Sequence, residues 1–316
     1  MAMKAFIFPG QGSQAVGMGA EMAGAFACAR DVLAEVDDAL NQKLSVLMAS
    51  GPADDLQLTA NAQPAIMAAS MAVLRVLQRE GGVDIARAAA YVAGHSLGEY
   101  SALCAAGTFS LADTARLLRV RGDAMQAAVP VGMGAMAALI GAEFEQAQAI
   151  AAEAAQGDIC TAANDNAPGQ VVISGHKAAI DRAIAIAAEK GLKRAVLLPV
   201  SAPFHCALMQ PAADAMAAAL ATVTMHAPMV PVLANVTAAP TSQITDIRDL
   251  LVRQVCGTVR WRESVLKLRE LGVTQLVEIG GTVLAGLAKR IDKDLPCTSI
   301  VTPADVEAFL KNAEAA

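Results

Sequence analysis

Residues 88–99 read Ala-Ala-Ala-Tyr-Val-Ala-Gly-His-Ser-Leu-Gly-Glu. The first six form a short apolar run, as expected for a strand buried on both faces. Gly94 ends the run, and a helical pattern begins at Leu97. A strand, a tight Gly94-x-Ser96-x-Gly98 turn and a helix together make the context of a nucleophile elbow. Such a turn exposes the serine hydroxyl. The helix N-terminus then aims N–H groups and a positive dipole end at developing negative charge. Ser96-x-x-Glu99 also fits a capping box. A capping box needs neither glycine, so the elbow accounts for more of the stretch.

Working outward, the same alternation recurs. An apolar run at 4–8 stops at Pro9 and opens into Gly10-Gln11-Gly12-Ser13-Gln14. Helices are expected over 21–40, 63–79 and 111–128. After the middle of the chain come a strand at 230–233, a helix at 247–256, a strand at 275–279 and a helix from 282. This alternation predicts an α/β fold with a largely parallel sheet. The middle differs. Strands at 134–141, 159–164, 170–174 and 194–200 enclose helices at 143–156 and 177–190. That βαββαβ order is a ferredoxin-like unit. The expected organisation is a discontinuous core, 1–130 with 200–316, carrying a small insert at 131–199.

The 316 residues suffice for a core without disulfide or metal staples. Apolar residues at 55 % and charged residues at 17 % mark a folded chain. Alanine supplies roughly a fifth of it, against ten aromatics, which leaves little surface for stacking bases. A net charge of −6 argues further against nucleic acid. The mean hydropathy of +0.45 invites a membrane reading. The longest uncharged stretch, 215–245, carries His226, Asn235, Pro228, Pro231 and Pro240, which a spanning helix tolerates poorly. The apolar run before Pro9 is too short for a signal-peptide core, so the expected compartment is the cytoplasm. The six cysteines form no C-x-x-C pair, and they read as free thiols packed as small apolar residues. Cys206 offers a second nucleophile beside a histidine, but Ser96 has the better context.

A serine needs a base, and the chain has four histidines. His95 adjoins Ser96 and is expected to point away from it. His176 precedes a helix of the insert, and His226 lies in the Thr/Pro stretch. His205 follows the apolar run 195–200, past the end of an expected strand, where α/β sites are built. It comes 109 residues after Ser96, and the Ser-then-His order suits hydrolase-like enzymes. On spacing alone a structural histidine remains equally open. Arg121 is the third signal. On a helix over 111–128, Leu117, Leu118, Ala124 and Met125 share its face, while Arg116, Arg119 and Asp123 lie opposite. A guanidinium on an apolar face needs an anion. That anion is either an internal carboxylate or a substrate carboxylate held by paired hydrogen bonds. The 10–14 loop lacks the Lys-Ser/Thr of a P-loop. It could cradle phosphate or supply an oxyanion N–H.

Taken together, these residues resemble the malonyl-CoA:acyl carrier protein transacylases of fatty-acid synthesis. The resemblance is carried by Phe-Pro-Gly-Gln-Gly-Ser-Gln at 8–14, Gln63-Pro64, Gly-His-Ser-Leu-Gly-Glu-Tyr at 94–100 and Val-Arg-Gly at 120–122. Gly-Gln-Val-Val-Ile-Ser-Gly at 169–175, the His205 segment and Leu-Val-Arg-Gln at 251–254 complete it. It implies a hydrolase-like core with a ferredoxin-like insert and the site between them. It implies Ser96 as the acylated nucleophile and His205 as general base. Backbone N–H groups of Gln11 and Leu97 would form the oxyanion hole. Arg121 would hold the malonyl carboxylate, Gln63 would line the pocket, and Asn164 would lie near the thioester arm. The backbone carbonyl of Gln254 would orient His205. No cofactor or metal is implied; the substrates would be malonyl-CoA and the phosphopantetheine thiol of an acyl carrier protein. Glu278-Ile279-Gly280-Gly281-Thr282-Val283 departs from the family, which typically has a longer Gly-Pro-Gly-Lys-type turn there.

An acidic carrier meeting an acidic enzyme needs a local basic patch. Lys177, Arg182, Lys190, Lys193 and Arg194 are candidates, and each is equally readable as an ordinary solvated charge. Three other readings stand beside malonyl transfer for fatty-acid synthesis. A malonyltransferase of a polyketide or malonate decarboxylase pathway would keep every residue named. An esterase or thioesterase would share Ser96 and His205 without needing Arg121. A non-catalytic carrier-binding subunit would not need the set intact.

Overall fold

In the computed structural model, residues 3–192, 194–200 and 202–314 are described. The strands, in chain order, are β1 (Lys4–Phe8), β2 (Tyr91–Gly94), β3 (Gly134–Ile140), β4 (Cys160–Ala167), β5 (Gln170–His176), β6 (Arg194–Leu197), β7 (Val232–Ala234), β8 (Ala239–Thr241), β9 (Gln275–Ile279) and β10 (Cys297–Ile300). They form two sheets. The larger runs β10-β9-β1-β2-β7-β8 and is parallel except for the short β7–β8 hairpin at one edge. Its central strands are apolar along their whole length because helices cover both faces: Ala5 to Phe8 and Val92 to Ala93 are fully buried.

The smaller sheet runs β4-β5-β3-β6 and is antiparallel at every pairing, the ferredoxin-like order. Helices Phe144–Ala155 and Lys177–Glu189 pack on one of its faces. Ala137, Ala147, Ala151, Ala179, Ala183 and Ala187 fill that interface. The alanine bias of the chain thus finds a physical use, since small side chains let helices approach a sheet closely.

Several elements differ from the sequence reading. The helix expected over 21–40 is two, Ala20–Ala25 and Ala27–Leu40, because Phe26 is extended at φ −127° and ψ 128°. The 63–79 helix starts a turn early, at Thr59, and carries Pro64 within it. Helix Gln210–Thr222 lies partly in the uncharged stretch and was not expected. Strand β6 ends at Leu197, so His205 does not sit at the end of a strand of the parallel sheet. It lies in the return from the small sheet to helix Gln210–Thr222. Among the described residues no helix is long and apolar enough to cross a membrane.

The 278–283 departure is a tight turn closed by its own carboxylate. Gly280 has φ 81°, and a Cβ there would lie 2.5 Å from the Ser70 Cα. Buried Glu278 accepts from the N–H groups of Leu284 and Ala285 at 3.0 and 2.8 Å, capping helix Val283–Ile291. This turn borders a cavity with the 12–19 loop and does not line the cavity over Ser96.

Candidate active site

The loops after β1 and β2 open side by side at the carboxyl end of the parallel sheet, where α/β folds bind ligands. The turn after β2 is possible only with glycine at two positions. A Cβ on Gly94 would lie 1.9 Å from the Gly98 carbonyl oxygen, and one on Gly98 would lie 2.3 Å from that of Phe8. With those side chains absent, helix Gly98–Ala105 packs directly on β1 and β2, and Ser96 is driven to φ 53°. A left-handed backbone at a residue other than glycine is strained by about 1–3 kcal/mol and is held only by its surroundings. His205 has the same conformation, with φ 58°.

Ser96 Oγ lies 2.8 Å from His205 Nε2. The other ring nitrogen, Nδ1, lies 2.9 Å from the Gln254 backbone carbonyl. A carbonyl only accepts, so Nδ1 carries the proton and Nε2 faces the serine hydroxyl as an acceptor. No carboxylate is needed to orient the ring. Burial foremost, then the neighbouring Arg121 charge, hold the His205 pKa down to about 3. The ring is therefore neutral at rest. The capping-box reading fails: the Ser96 hydroxyl caps nothing, and Glu99 reaches elsewhere.

Arg121 is buried on helix Leu111–Ala127, on the same face as Leu117, Leu118 and Met125. Its Nη1 donates to Gln63 Oε1 at 2.7 Å, and its Nη2 donates to Ser96 Oγ at 3.1 Å and Gln254 Oε1 at 2.9 Å. Its Nε has no acceptor among the described residues. All three acceptors are neutral, so the internal-carboxylate reading finds no partner in direct contact. The expected solvated face holds for Arg116 and Asp123. Arg119 departs from it, half-buried and bonded to Asn61 and Gln42. Gln63 is held in register by Thr59, whose hydroxyl accepts from Gln63 Nε2 and donates to Gln11 Oε1.

Ser96, His205, Arg121, Gln63 and Gln11 line a cavity of about 280 Å³ together with His95, Met125, Asn164, Asn166 and Phe204. The backbone N–H groups of Gln11 and Leu97 donate to no protein group among the described residues. Strand β4 forms one wall. It is stitched to the core by Val259, whose N–H donates to the Ala163 carbonyl and whose carbonyl accepts from the Asp165 N–H, both at 2.9 Å. Asn164 sits on that wall and lines the same cavity as Ser96 and His205. His95 turns away from the serine, as consecutive residues at an elbow do, and its Nε2 meets Asn166 Oδ1 at 2.8 Å. Cys206 is buried, its Sγ directed at the Pro203 carbonyl, and burial pushes its thiol pKa up. His176 accepts from the Ile159 N–H, and His226 is exposed, both far along the chain from the elbow.

A family model described as an acyl transferase domain matches residues 5–302. The chain is 47 % identical over 312 residues to the malonyl CoA-acyl carrier protein transacylase of Escherichia coli strain K12, across 98 % of this chain and 100 % of that one. The chain belongs to the malonyl CoA-acyl carrier protein transacylase family. The fold agrees: the acyl-carrier-protein-S-malonyltransferase of Bartonella henselae superposes with a TM-score of 0.96 at 56 % identity, over 99 % of both chains. A malonyl-transacylase solved in complex with a type II polyketide acyl-carrier protein superposes at 0.95 with 44 % identity, over 98 % of this chain and 100 % of that one.

For a member of the transacylase family, the sequence reading missed two residues that touch the elbow. Asn235, one residue past β7, accepts from the Ser96 N–H at 2.7 Å and donates to the Gly94 carbonyl at 2.7 Å. An apolar run ending in a polar residue is the signal that could have found it. Glu99 reads in the sequence only as a helix cap. Of the basic residues of the insert, Lys177, Arg182 and Lys190 are already paired with Asp181, Asp158 and Glu153. Lys193 lies outside the described residues. Arg194 is exposed and has no carboxylate partner among them.

Proposed function

We propose that the chain transfers a malonyl group from malonyl-CoA to the phosphopantetheine thiol of an acyl carrier protein, through a malonyl ester on Ser96, and that it does so for fatty-acid synthesis. The observation that supports this most directly is Ser96 Oγ held between an imidazole nitrogen and a buried guanidinium. Ser96 Oγ attacks the thioester carbonyl as His205 Nε2 takes its proton. The carbonyl oxygen becomes an oxyanion, met by the free N–H groups of Gln11 and Leu97, each worth about 3–4 kcal/mol in comparable sites. Collapse breaks the C–S bond, and the proton on His205 passes to the leaving thiolate of CoA. In the second half the carrier thiol gives its proton to His205 and attacks the ester, and Ser96 recovers a proton as it leaves.

Arg121 holds the free carboxylate of the malonyl group. That carboxylate also cancels the positive charge that weighs against forming an imidazolium at His205. Gln63 and Gln254 hold Arg121 ready, and Asn164 faces the arm of the thioester. The core, residues 1–130 and 200–316, carries the reacting groups, and the insert, 131–199, closes the site over the arm. The reaction draws on no metal or cofactor, and we propose the cytoplasm as its compartment. The similarity to a transacylase with a polyketide carrier makes that pathway the second reading; discharge against a panel of carriers separates the two.

Intact-protein mass spectrometry after mixing with malonyl-CoA tests the reading. One malonyl adduct is expected on the native chain, mapped to Ser96, and none on Ser96→Ala. An adduct that survives this substitution, or none on the native chain, refutes it.

A further inference from the structure

We propose that Glu99 is a positioning residue for this transfer: one carboxylate oxygen holds both amide residues, Asn235 and Gln254, that set the Ser96 backbone and the His205 ring. The inference rests on the function proposed above, with Ser96 as the reacting group. Glu99 is buried, only 2 % exposed, in the first turn of the helix that follows the elbow. Its Oε2 accepts from the Asn235 N–H at 3.1 Å and from Gln254 Nε2 at 2.8 Å. Among the described residues it makes no ion pair within 4 Å.

Each amide then carries the elbow. The Asn235 side chain bridges the Ser96 N–H and the Gly94 carbonyl. Gln254 Nε2 also donates to the Ser96 carbonyl at 2.9 Å, its Oε1 accepts from Arg121, and its own backbone carbonyl accepts the Nδ1 proton of His205. The left-handed Ser96 therefore has its backbone N–H and its carbonyl met by the side chains of Asn235 and Gln254, and these two residues reach one oxygen of Glu99 through the Asn235 backbone N–H and the Gln254 side-chain amide.

An acceptor is required at that point for a stereochemical reason. A carboxamide has nearly the same shape in its two flipped states. A flipped Gln254 would set its NH₂ against the Arg121 donors and its oxygen against the Ser96 carbonyl. An acceptor facing Nε2 forbids the flip and leaves Arg121 with its neutral partner. Burial has a cost: it pushes the Glu99 carboxyl up to about 7, against the stabilising hydrogen bonds from Gln254 and Asn235.

Two substitutions separate reach from charge. Glu99→Gln keeps the length and can offer one carbonyl oxygen to both donors, without the charge. Glu99→Asp keeps the charge but is a methylene too short to meet both. The readouts are the rate of Ser96 labelling by a fluorophosphonate and the rate of malonyl-adduct formation. The Gln variant is expected within about 5-fold of the native rate and the Asp variant about 30–100-fold below it, with the loss in the rate constant and not in KM. An Asp variant as fast as the Gln variant, a Gln variant as slow as the Asp variant, or native rates in both would overturn the proposal. Should the Asp variant fail to fold, Glu99→Ala, which removes the acceptor, takes its place. Labelling needs no malonyl donor, so a native chain that labels but accepts no malonyl group refutes the function and leaves the Glu99 comparison standing.

Discussion

Replacing Arg121 by alanine should abolish the choice of malonyl over acetyl, and the size of the effect follows from its partners. In the open pocket Arg121 donates to the oxygens of Gln63, Gln254 and Ser96, all uncharged. A malonyl carboxylate would exchange neutral acceptors for charged ones. Hydrogen bonds to a charged group contribute about 1.5–3 kcal/mol, against about 1 kcal/mol for neutral pairs. Two such exchanges come to roughly 1–4 kcal/mol, or about 5–1000-fold. An acetyl group has no carboxylate and gains nothing. The substitution also leaves Gln63 Oε1 and Gln254 Oε1 without their donor, and that cost falls on both substrates alike. The ratio of kcat/KM for malonyl-CoA and acetyl-CoA is therefore the measurement, taken from rapid-quench acylation of Ser96. It should fall by about 5-fold or more in Arg121→Ala. A ratio within about 3-fold of native, with both substrates slowed equally, would show that Arg121 is structural and would refute the reasoning.

Two further outcomes test the surroundings of the site. The proposed transfer needs a neutral His205, and its pKa of about 3 leaves it neutral throughout the working range, so the rate should show no His205 limb between about pH 5 and 8. Arg121→Ala removes a lowering charge and should bring an acidic limb up towards that range; a native limb near the ordinary histidine value would contradict the burial argument. The same depressed pKa means that stability linked to His205 is present above about pH 6.5 and is lost as pH falls towards 3. Gly98→Ala forces a Cβ to within 2.3 Å of the Phe8 carbonyl oxygen, so strand and helix must part; thermal unfolding should show a loss of more than about 3 kcal/mol, and a native-like midpoint would refute the close-packing account of the elbow.

What could be read directly from the chain was short-range. Gly94 and Gly98 are required because a side chain at either would collide with backbone a few residues away or on the adjoining strand, and such steric demands show in a motif. Arg121 was visible because helical periodicity places it among Leu117, Leu118 and Met125. The ferredoxin-like insert was visible because its strands and helices alternate without interruption. Phe26 and helix Gln210–Thr222 escaped notice because an extended kink and an alanine-rich segment leave little trace in hydrophobic periodicity.

The amino-acid sequence by itself determined the elbow, the buried cation and the α/β class, since each follows from local sterics or from a period of two or 3.6 residues. Only the tertiary structure decided what surrounds Ser96. His205, Asn235 and Gln254 lie 109, 139 and 158 residues away along the chain. Their meeting depends on how strands stack and on where the chain returns from the small sheet. A hydrogen bond between residues so far apart obeys no period. It is fixed by the demand that each buried polar group be answered, and that demand is settled only once the whole core has closed.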